Sequence, residues 1–112
     1  MGVRCHTCGA VYPINSRAWV CEDCGGLLEI FGAPQFDESK IARDNTTIWR
    51  YRALLPLPEN APPISMGEGW TPLIAVPYHE RNIYCKLDFL NPTGSFKDRG
   101  TSLVVSTVKA FG

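Results

Sequence analysis

Two pairs of cysteines near the start of the chain could hold a metal ion. Cys5 and Cys8 form one C-x-x-C pair, Cys21 and Cys24 form a second, and twelve residues separate the two pairs. Glycine follows each pair directly, which lets the chain bend sharply while backbone amides approach the sulfurs. Zn²⁺ prefers four such ligands in a tetrahedron, and four cysteines leave no position open for water or substrate. The spacing therefore predicts a structural zinc site, with a disulfide or redox role as the alternative.

Two further residues with reactive side chains are interpreted differently. His6 lies inside the first cysteine pair and is predicted to be a surface side chain rather than a ligand. Cys85 stands alone in a predicted strand, and we expect it to be a buried core residue. Arg17 is the one basic residue between the two cysteine pairs, where a ribbon that binds nucleic acid would be expected to carry several. A zinc ribbon that acts only as a binding module remains an alternative interpretation of the cysteine pairs.

Lys97 is the residue whose position could support covalent chemistry. It follows a turn-rich segment, N-P-T-G at residues 91–94, and lies in the first turn of a helix predicted to begin at Ser95. The positive end of a helix disfavours a protonated amine, and Schiff-base chemistry requires a neutral one. Asp98 in the same turn has the opposite effect. Local physics therefore leaves two interpretations open: a Schiff-base lysine, or an ordinary surface lysine in a capped helix.

The chain that positions these residues divides into three predicted regions. Residues 1–31 are predicted to form a small β zinc ribbon. Residues 32–63 are proline-containing and are predicted to form a linker or extended segment, with a short helix at residues 48–55. Residues 64–112 are predicted to be the start of an α/β domain. The fold class is thus α/β, preceded by a small β unit.

The last region has the pattern of two strands followed by a helix. Strands are predicted at residues 73–76 and 82–88, the second because apolar and polar residues alternate along it. The helix from Ser95 has a Ser-x-x-Asp start signal, completed by Asp98. Its apolar residues recur at roughly helical spacing, at positions Leu103, Val104, Val108 and Phe111.

Composition and charge restrict the classes of partner. Hydrophobic residues make up 45% of the chain, which indicates a globular protein rather than a disordered one. The formal net charge is zero, so no basic surplus favours nucleic acid or anionic lipid. No apolar run could span a bilayer, and the first residues lack the apolar stretch of a signal peptide. We therefore expect a cytoplasmic protein without a nucleic-acid or membrane partner.

The segment around Lys97 resembles the cofactor-lysine motif of the fold-type II pyridoxal phosphate (PLP) enzymes. It reads N-P-T-G-S-F-K-D-R-G at residues 91–100, and in this full form it is similar to the threonine synthase family. Zinc-ribbon N-termini also occur in a subset of that family, and the resemblance covers nearly the whole chain. Other segments follow in the family's order: W-x-Y at 49–51, L-P at 55–56, E-G-x-T-P-L at 68–73, and K-x-D at 86–88 where the family has K-x-E.

The resemblance implies a PLP-dependent lyase that converts O-phospho-L-homoserine and water to L-threonine and phosphate. It implies that Lys97 holds PLP as a Schiff base and acts as the general base once substrate displaces it. Thr93 and Ser95 are the candidates for binding substrate or cofactor oxygens, although helix capping explains Ser95 equally well. Asp98 and Arg99 are expected to be structural. Relatives such as cysteate synthase share these motifs, so a phosphoserine substrate is the alternative within the fold.

The resemblance also implies that much of such a site lies outside this sequence. No glycine-rich loop for the PLP phosphate follows Lys97, and no residue can be named as the partner of the pyridine nitrogen. We therefore interpret the chain as the N-terminal part of an incomplete fold-type II domain, and we expect it to be inactive alone. A homo-oligomer is left open.

Overall fold

The chain forms five β-strands, three short 3₁₀ helices and one α-helix in a computed structural model that describes all 112 residues. It is elongated, because its radius of gyration of 17.2 Å exceeds the roughly 13 Å expected for a compact domain of this length. Only ten of the 112 residues are buried. Its order therefore depends on a few buried side chains and on specific hydrogen bonds rather than on a large apolar core.

Residues 1–31 contain a three-stranded antiparallel sheet. β1 (Gly2–Cys5) lies in the middle, between β2 (Val11–Pro13) and β3 (Leu28–Phe31). The buried positions of these strands are the two ends of β1 alone. A sheet this short buries too little apolar surface to be stable by itself, so another interaction has to hold the region together.

The middle region contains two short 3₁₀ helices, Glu38–Lys40 and Ile48–Leu54. The second confirms the helix predicted at residues 48–55, although it is a 3₁₀ helix. The hydroxyl of Thr47 caps it by accepting a hydrogen bond from the amide of Trp49 at 3.1 Å. The cap fixes where the chain turns into the helix and thereby directs the Trp49 indole.

Trp49 connects this helix to α1 (Lys97–Phe111), the only α-helix. The indole is 5% exposed and donates from Nε1 to the hydroxyl of Ser102 at 3.0 Å. Ser102 in turn donates to the carbonyl of Ile64 at 2.6 Å, and the amide of Ile64 donates to the hydroxyl of Ser106 at 3.0 Å. The small buried face of α1 therefore consists of two serines one turn apart, whose short side chains let the backbone at Ile64 approach the helix closely.

The apolar residues from which α1 was predicted do not form its buried face. The helix is present, but it begins two residues later than the sequence predicted. Leu103 and Phe111 are half-buried, whereas Val104 and Val108 are each 62% exposed. No other part of the chain covers the valine face. No helix of the chain is both long enough and apolar enough to cross a membrane.

β4 (Leu73–Tyr78) and β5 (Arg81–Lys86) form an antiparallel hairpin. Both predicted strands are present, with ends shifted by up to two residues. Two residues join them, a connection that permits antiparallel pairing and excludes the parallel pairing typical of α/β domains. The prediction that Cys85 is a buried core residue is wrong, because it is only half-buried. Nothing covers the faces of the hairpin, where Ile74 is 41% and Ile83 is 47% exposed.

Candidate functional site

The sulfur atoms of the two cysteine pairs lie together at one end of the ribbon sheet. The Sγ atoms of Cys5, Cys8, Cys21 and Cys24 are all within 4.8 Å of one another. The sulfurs of Cys5 and Cys24 are 3.5 Å apart, as are those of Cys8 and Cys21. Four sulfurs about 2.3 Å from a central Zn²⁺ would be about 3.8 Å apart, so the cluster fits a tetrahedral ion. His6 is exposed and lies outside the cluster.

The two cysteine pairs share one backbone arrangement. The amide of Gly9 donates to the carbonyl of Cys5 at 3.1 Å, and the amide of Gly25 donates to the carbonyl of Cys21 at 2.8 Å. Both glycines have a positive φ, of 78° and 69°, which other residues rarely adopt. A Cβ at Gly26 would lie 2.9 Å from the sulfur of Cys5. The glycines thus bend the chain and leave room beside the sulfurs.

Hydrogen bonds from neighbouring groups stabilise two of the sulfurs as thiolates. The amide of Thr7 donates to the sulfur of Cys5 at 3.3 Å, and the hydroxyl of Tyr12 lies 3.2 Å from the sulfur of Cys21. The Tyr12 hydrogen bond lowers the pKa of the Cys21 thiol to about 6. The amide of Glu22 holds the Tyr12 oxygen in place at 2.9 Å. Thiolate is the form that binds metal. Nothing in the sequence pattern identified Tyr12, because its contact depends on strand pairing.

Lys97 is the first residue of α1, and its side chain is exposed. The hydroxyl of Ser95 accepts a hydrogen bond from the Lys97 amide at 3.2 Å, whereas Phe96, the residue at the N-cap, makes no side-chain cap hydrogen bond. No carboxylate forms an ion pair with the Lys97 amine. The side chain lies in a shallow depression that it shares with Phe96, Gly100 and Val104. The amine is therefore accessible, and it has no protein partner to displace.

Thr93 and Asp98 close the loop that leads into this helix. The carboxylate of Asp98 accepts hydrogen bonds from the Thr93 amide at 2.8 Å and from the Thr93 hydroxyl at 2.5 Å. The sequence suggested that Asp98 would act together with Ser95, but its partner is Thr93. Asp98 therefore links the loop to the first turn of α1. The loop residues Thr93 and Ser95 both lie within four positions of Lys97.

A polar network fastens the start of α1 to earlier segments of the chain. The carboxylate of Asp88 accepts hydrogen bonds from the Thr71 hydroxyl at 2.7 Å and from Arg99 at 2.9 Å. These two bonds, with the Thr71 bond the stronger influence, hold the pKa of Asp88 below its ordinary value. The side chain of Asn91 is buried and accepts from the amide of Gly69 at 3.0 Å. The sequence indicated a structural Arg99 but missed the roles of Thr71 and Asn91.

Glu68 is a buried acid that fixes the segment before β4. It is 1% exposed, and its carboxylate accepts hydrogen bonds from the Ser65 hydroxyl at 3.0 Å and from the Met66 amide at 2.8 Å. The next residue, Gly69, has a φ of 117°. A Cβ there would lie 2.7 Å from the amide nitrogen of Ile48, so only glycine allows the two backbones to approach this closely.

Comparison with known proteins relates these segments to one enzyme family. Residues 64–111 match the family model described as pyridoxal-phosphate dependent enzyme. The chain is 35% identical to the threonine synthase of Methanocaldococcus jannaschii over 97% of its length, and 32% identical to that of Methanosarcina acetivorans over 98%. A Synechocystis threonine synthase is 39% identical over 70% of the chain and 22% of its own length. The chain spans 29% of the length of each of the first two relatives. No solved structure matches the chain significantly.

Proposed function

Since residues 64–111 match the family model described as pyridoxal-phosphate dependent enzyme, we propose that this chain supplies the cofactor lysine of a threonine synthase-like enzyme. The observation that carries the proposal is the position of Lys97. Its amine is exposed at the start of α1 and free of any carboxylate partner. The Asp88 network holds the helix turn on which it stands.

Lys97 has two tasks in the proposed enzyme. Its amine would hold PLP through the cofactor's aldehyde, with loss of water, and once free it would take up and return protons at the substrate's carbon atoms. PLP, when bound, supplies the electron sink that makes those carbons acidic. The accessible side chain and the neighbouring glycine, Gly100, leave the space that a planar ring requires beside the lysine.

Ser95 and Thr93 differ in what they can offer to a bound cofactor or substrate. The Ser95 oxygen accepts from the Lys97 amide, which leaves its own proton free to donate to a ligand oxygen. The Thr93 proton is used by Asp98, so Thr93 can only accept a further hydrogen bond. We therefore assign Ser95 as the donor to a phosphate or carboxylate oxygen, and Thr93 as an acceptor for an ammonium or hydroxyl group.

The reaction that we assign to the whole enzyme is replacement of phosphate by water. O-phospho-L-homoserine and water give L-threonine and inorganic phosphate, which makes the enzyme a lyase of threonine biosynthesis. Similarity along nearly the whole chain to proteins named threonine synthase supports this substrate over phosphoserine. The four cysteines hold a structural Zn²⁺ in this proposal, because their sulfurs fill all four tetrahedral positions.

Reductive trapping of PLP tests the assignment of Lys97. PLP is added to the full chain, borohydride reduces any Schiff base, and peptide mass spectrometry locates the label. We expect the label on Lys97, its loss in Lys97→Ala and its retention in Lys109→Ala, a lysine in the last turn of the same helix. Labelling spread evenly over the lysines would contradict the assignment.

A hybrid enzyme tests the substrate. The chain replaces the matching part of the Methanocaldococcus jannaschii threonine synthase, and phosphate release is measured with O-phosphohomoserine and with O-phosphoserine. We expect release from O-phosphohomoserine, little from O-phosphoserine, and none from the Lys97→Ala hybrid. Release from O-phosphoserine alone would instead favour an activity like that of cysteate synthase.

A further inference from the structure

A cleft of about 520 Å³ lies beside the start of α1 and is lined by three cationic side chains. These are Arg50, Lys86 and Arg99, and two aromatic residues, Tyr51 and Trp70, form part of the wall. Residues two apart on an α-helix project about 200° apart, so the side chains at positions 97 and 99 point to opposite sides of α1. The cleft is therefore separate from the depression that contains the candidate lysine.

Arg50 is the cation of this cleft whose hydrogen-bonding capacity is unused. Its guanidinium carbon lies 4.1 Å from the centroid of the Trp70 ring and 5.5 Å from that of the Tyr51 ring. It has no carboxylate in ion-pair contact, and its buried Nε has no hydrogen-bond partner. A guanidinium that packs on an aromatic ring can still bind an oxyanion through its terminal N–H groups, with two parallel bonds.

The charge of the cleft favours a doubly charged anion. Lys86 donates to the backbone carbonyl of Thr71, a neutral partner, so its charge is not compensated there. Arg99 is paired with Asp88 at 2.9 Å. Three cations and one paired carboxylate leave a local charge of about +2, which matches a phosphate group of about −1.5 to −2 at neutral pH. A carboxylate carries only half of that charge.

We propose that this cleft is a second anion site, which binds the phosphate group of a small phosphorylated ligand. Arg50 provides the planar fork and Lys86 a point charge, while Trp70 and Tyr51 contact the less polar part of the ligand. A volume of about 520 Å³ accommodates a molecule of that size. The site is formed without Lys97, so it does not depend on the proposed enzymatic function.

Calorimetric titration of the full chain with inorganic phosphate at low ionic strength tests the site. We expect saturable binding that weakens at least about tenfold in Arg50→Gln, because the fork is lost. Arg81→Gln is the matched control, since Arg81 is exposed in β5 and forms no ion pair. Arg50→Lys retains the charge but loses the planar fork, and it should weaken binding by a smaller factor than Arg50→Gln. Circular dichroism confirms that each variant is folded.

Four outcomes would overturn the proposal. Phosphate binding that does not saturate is one, and equal loss of affinity in Arg50→Gln and Arg81→Gln is another. Acetate that binds as tightly as phosphate at the same ionic strength would refute the assignment to a phosphate group. Loss of binding in Lys97→Ala would mean that phosphate was bound at the lysine, so retained binding in that variant separates this site from the proposed function.

Discussion

The cysteine ribbon and the lysine-bearing region hold their functional residues by different means. In residues 1–31 the partners are set by short spacings, because each cysteine pair and its glycines form one local turn. In residues 64–112 the decisive partners come from distant positions, as where Thr71 and Asp88 meet Arg99. The difference teaches that a cluster of candidate metal ligands can take the place of a core in a very short segment, whereas a loop that presents the candidate cofactor lysine needs contacts from across the sequence.

Metal removal should have the largest effect and should break the ribbon alone. Binding of Zn²⁺ by four thiolates contributes about 10–16 kcal/mol in small zinc domains, far more than the ribbon's exposed strands could. Chelation should therefore shift the Gly9 and Gly25 amide signals in an NMR spectrum to the positions typical of unfolded chain and leave that of Gly69 in place. Cys21→Ser should bind no zinc by metal analysis, whereas Cys85→Ser, outside the cluster, should retain it. Loss of all three glycine signals together would contradict the separation of the two regions.

Truncation of the buried indole should have the next largest effect, now on the other region. Trp49→Ala removes the largest buried apolar side chain and leaves the hydroxyl of Ser102 without its donor. We expect the free energy of unfolding, measured with urea, to fall by about 3–5 kcal/mol. Trp19→Ala, at a site that is 86% exposed, should change it by less than about 0.5 kcal/mol. Similar losses in the two variants would mean that Trp49 is not the link between the helices.

A pair of glycine substitutions tests the close backbone contact in front of β4. Gly69→Ala should lower the free energy of unfolding by about 1–3 kcal/mol, because the new Cβ meets the backbone of Ile48 and the φ is positive. Gly100→Ala is the control in α1, where a Cβ meets nothing within 4 Å. This variant should raise the free energy of unfolding by about 0.5–1 kcal/mol, since alanine favours a helix. Equal effects would show that the approach of residues 48 and 69 is unimportant.

The smallest expected effect concerns the polar network, and it depends on pH. Because its folded-state pKa is depressed, Asp88 stabilises the fold above its ordinary value of 3.8, and that contribution is lost as the pH falls toward the folded value. Asp88→Asn should have a lower melting temperature at neutral pH and a weaker pH dependence below about 4. Asp44→Asn, at an exposed acid without an ion pair, should keep the parent's profile. Identical profiles in both variants would exclude a stabilising role for the network.

The sequence predicted the elements better than the contacts between them. The strands of the hairpin, the short helix after Thr47 and α1 all follow from local pattern and capping. The bend of each cysteine pair likewise follows from its glycine. The burial of Ser102 and Ser106 could not be predicted, because an apolar pattern favours the valine face of α1. Which side of a helix is covered depends on the neighbouring segments, and periodicity carries no information about them.

The same is true of the candidate site, because the sequence identified its residues better than the contacts between them. The motif around Lys97 was identified by its resemblance to a family, but its local physics left the role open. Asp98 contacts Thr93 instead of the predicted Ser95. This contact depends on the exact turn at residues 91–94, which spacing alone does not determine. The sequence indicated no role for Arg50, because its contact with Trp70 forms only in the folded chain.

Gly26 makes the two cysteine turns of the ribbon unequal and limits how the ribbon can be altered. Ala10 occupies the equivalent place after the first cysteine pair, since the amide of Cys5 donates to Ala10 as that of Cys21 donates to Gly26. A methyl group fits at position 10, but at position 26 it would collide with Thr7 and Cys5. The two halves are thus not interchangeable: a copy of the first turn could not be grafted in place of the second without first losing that methyl group.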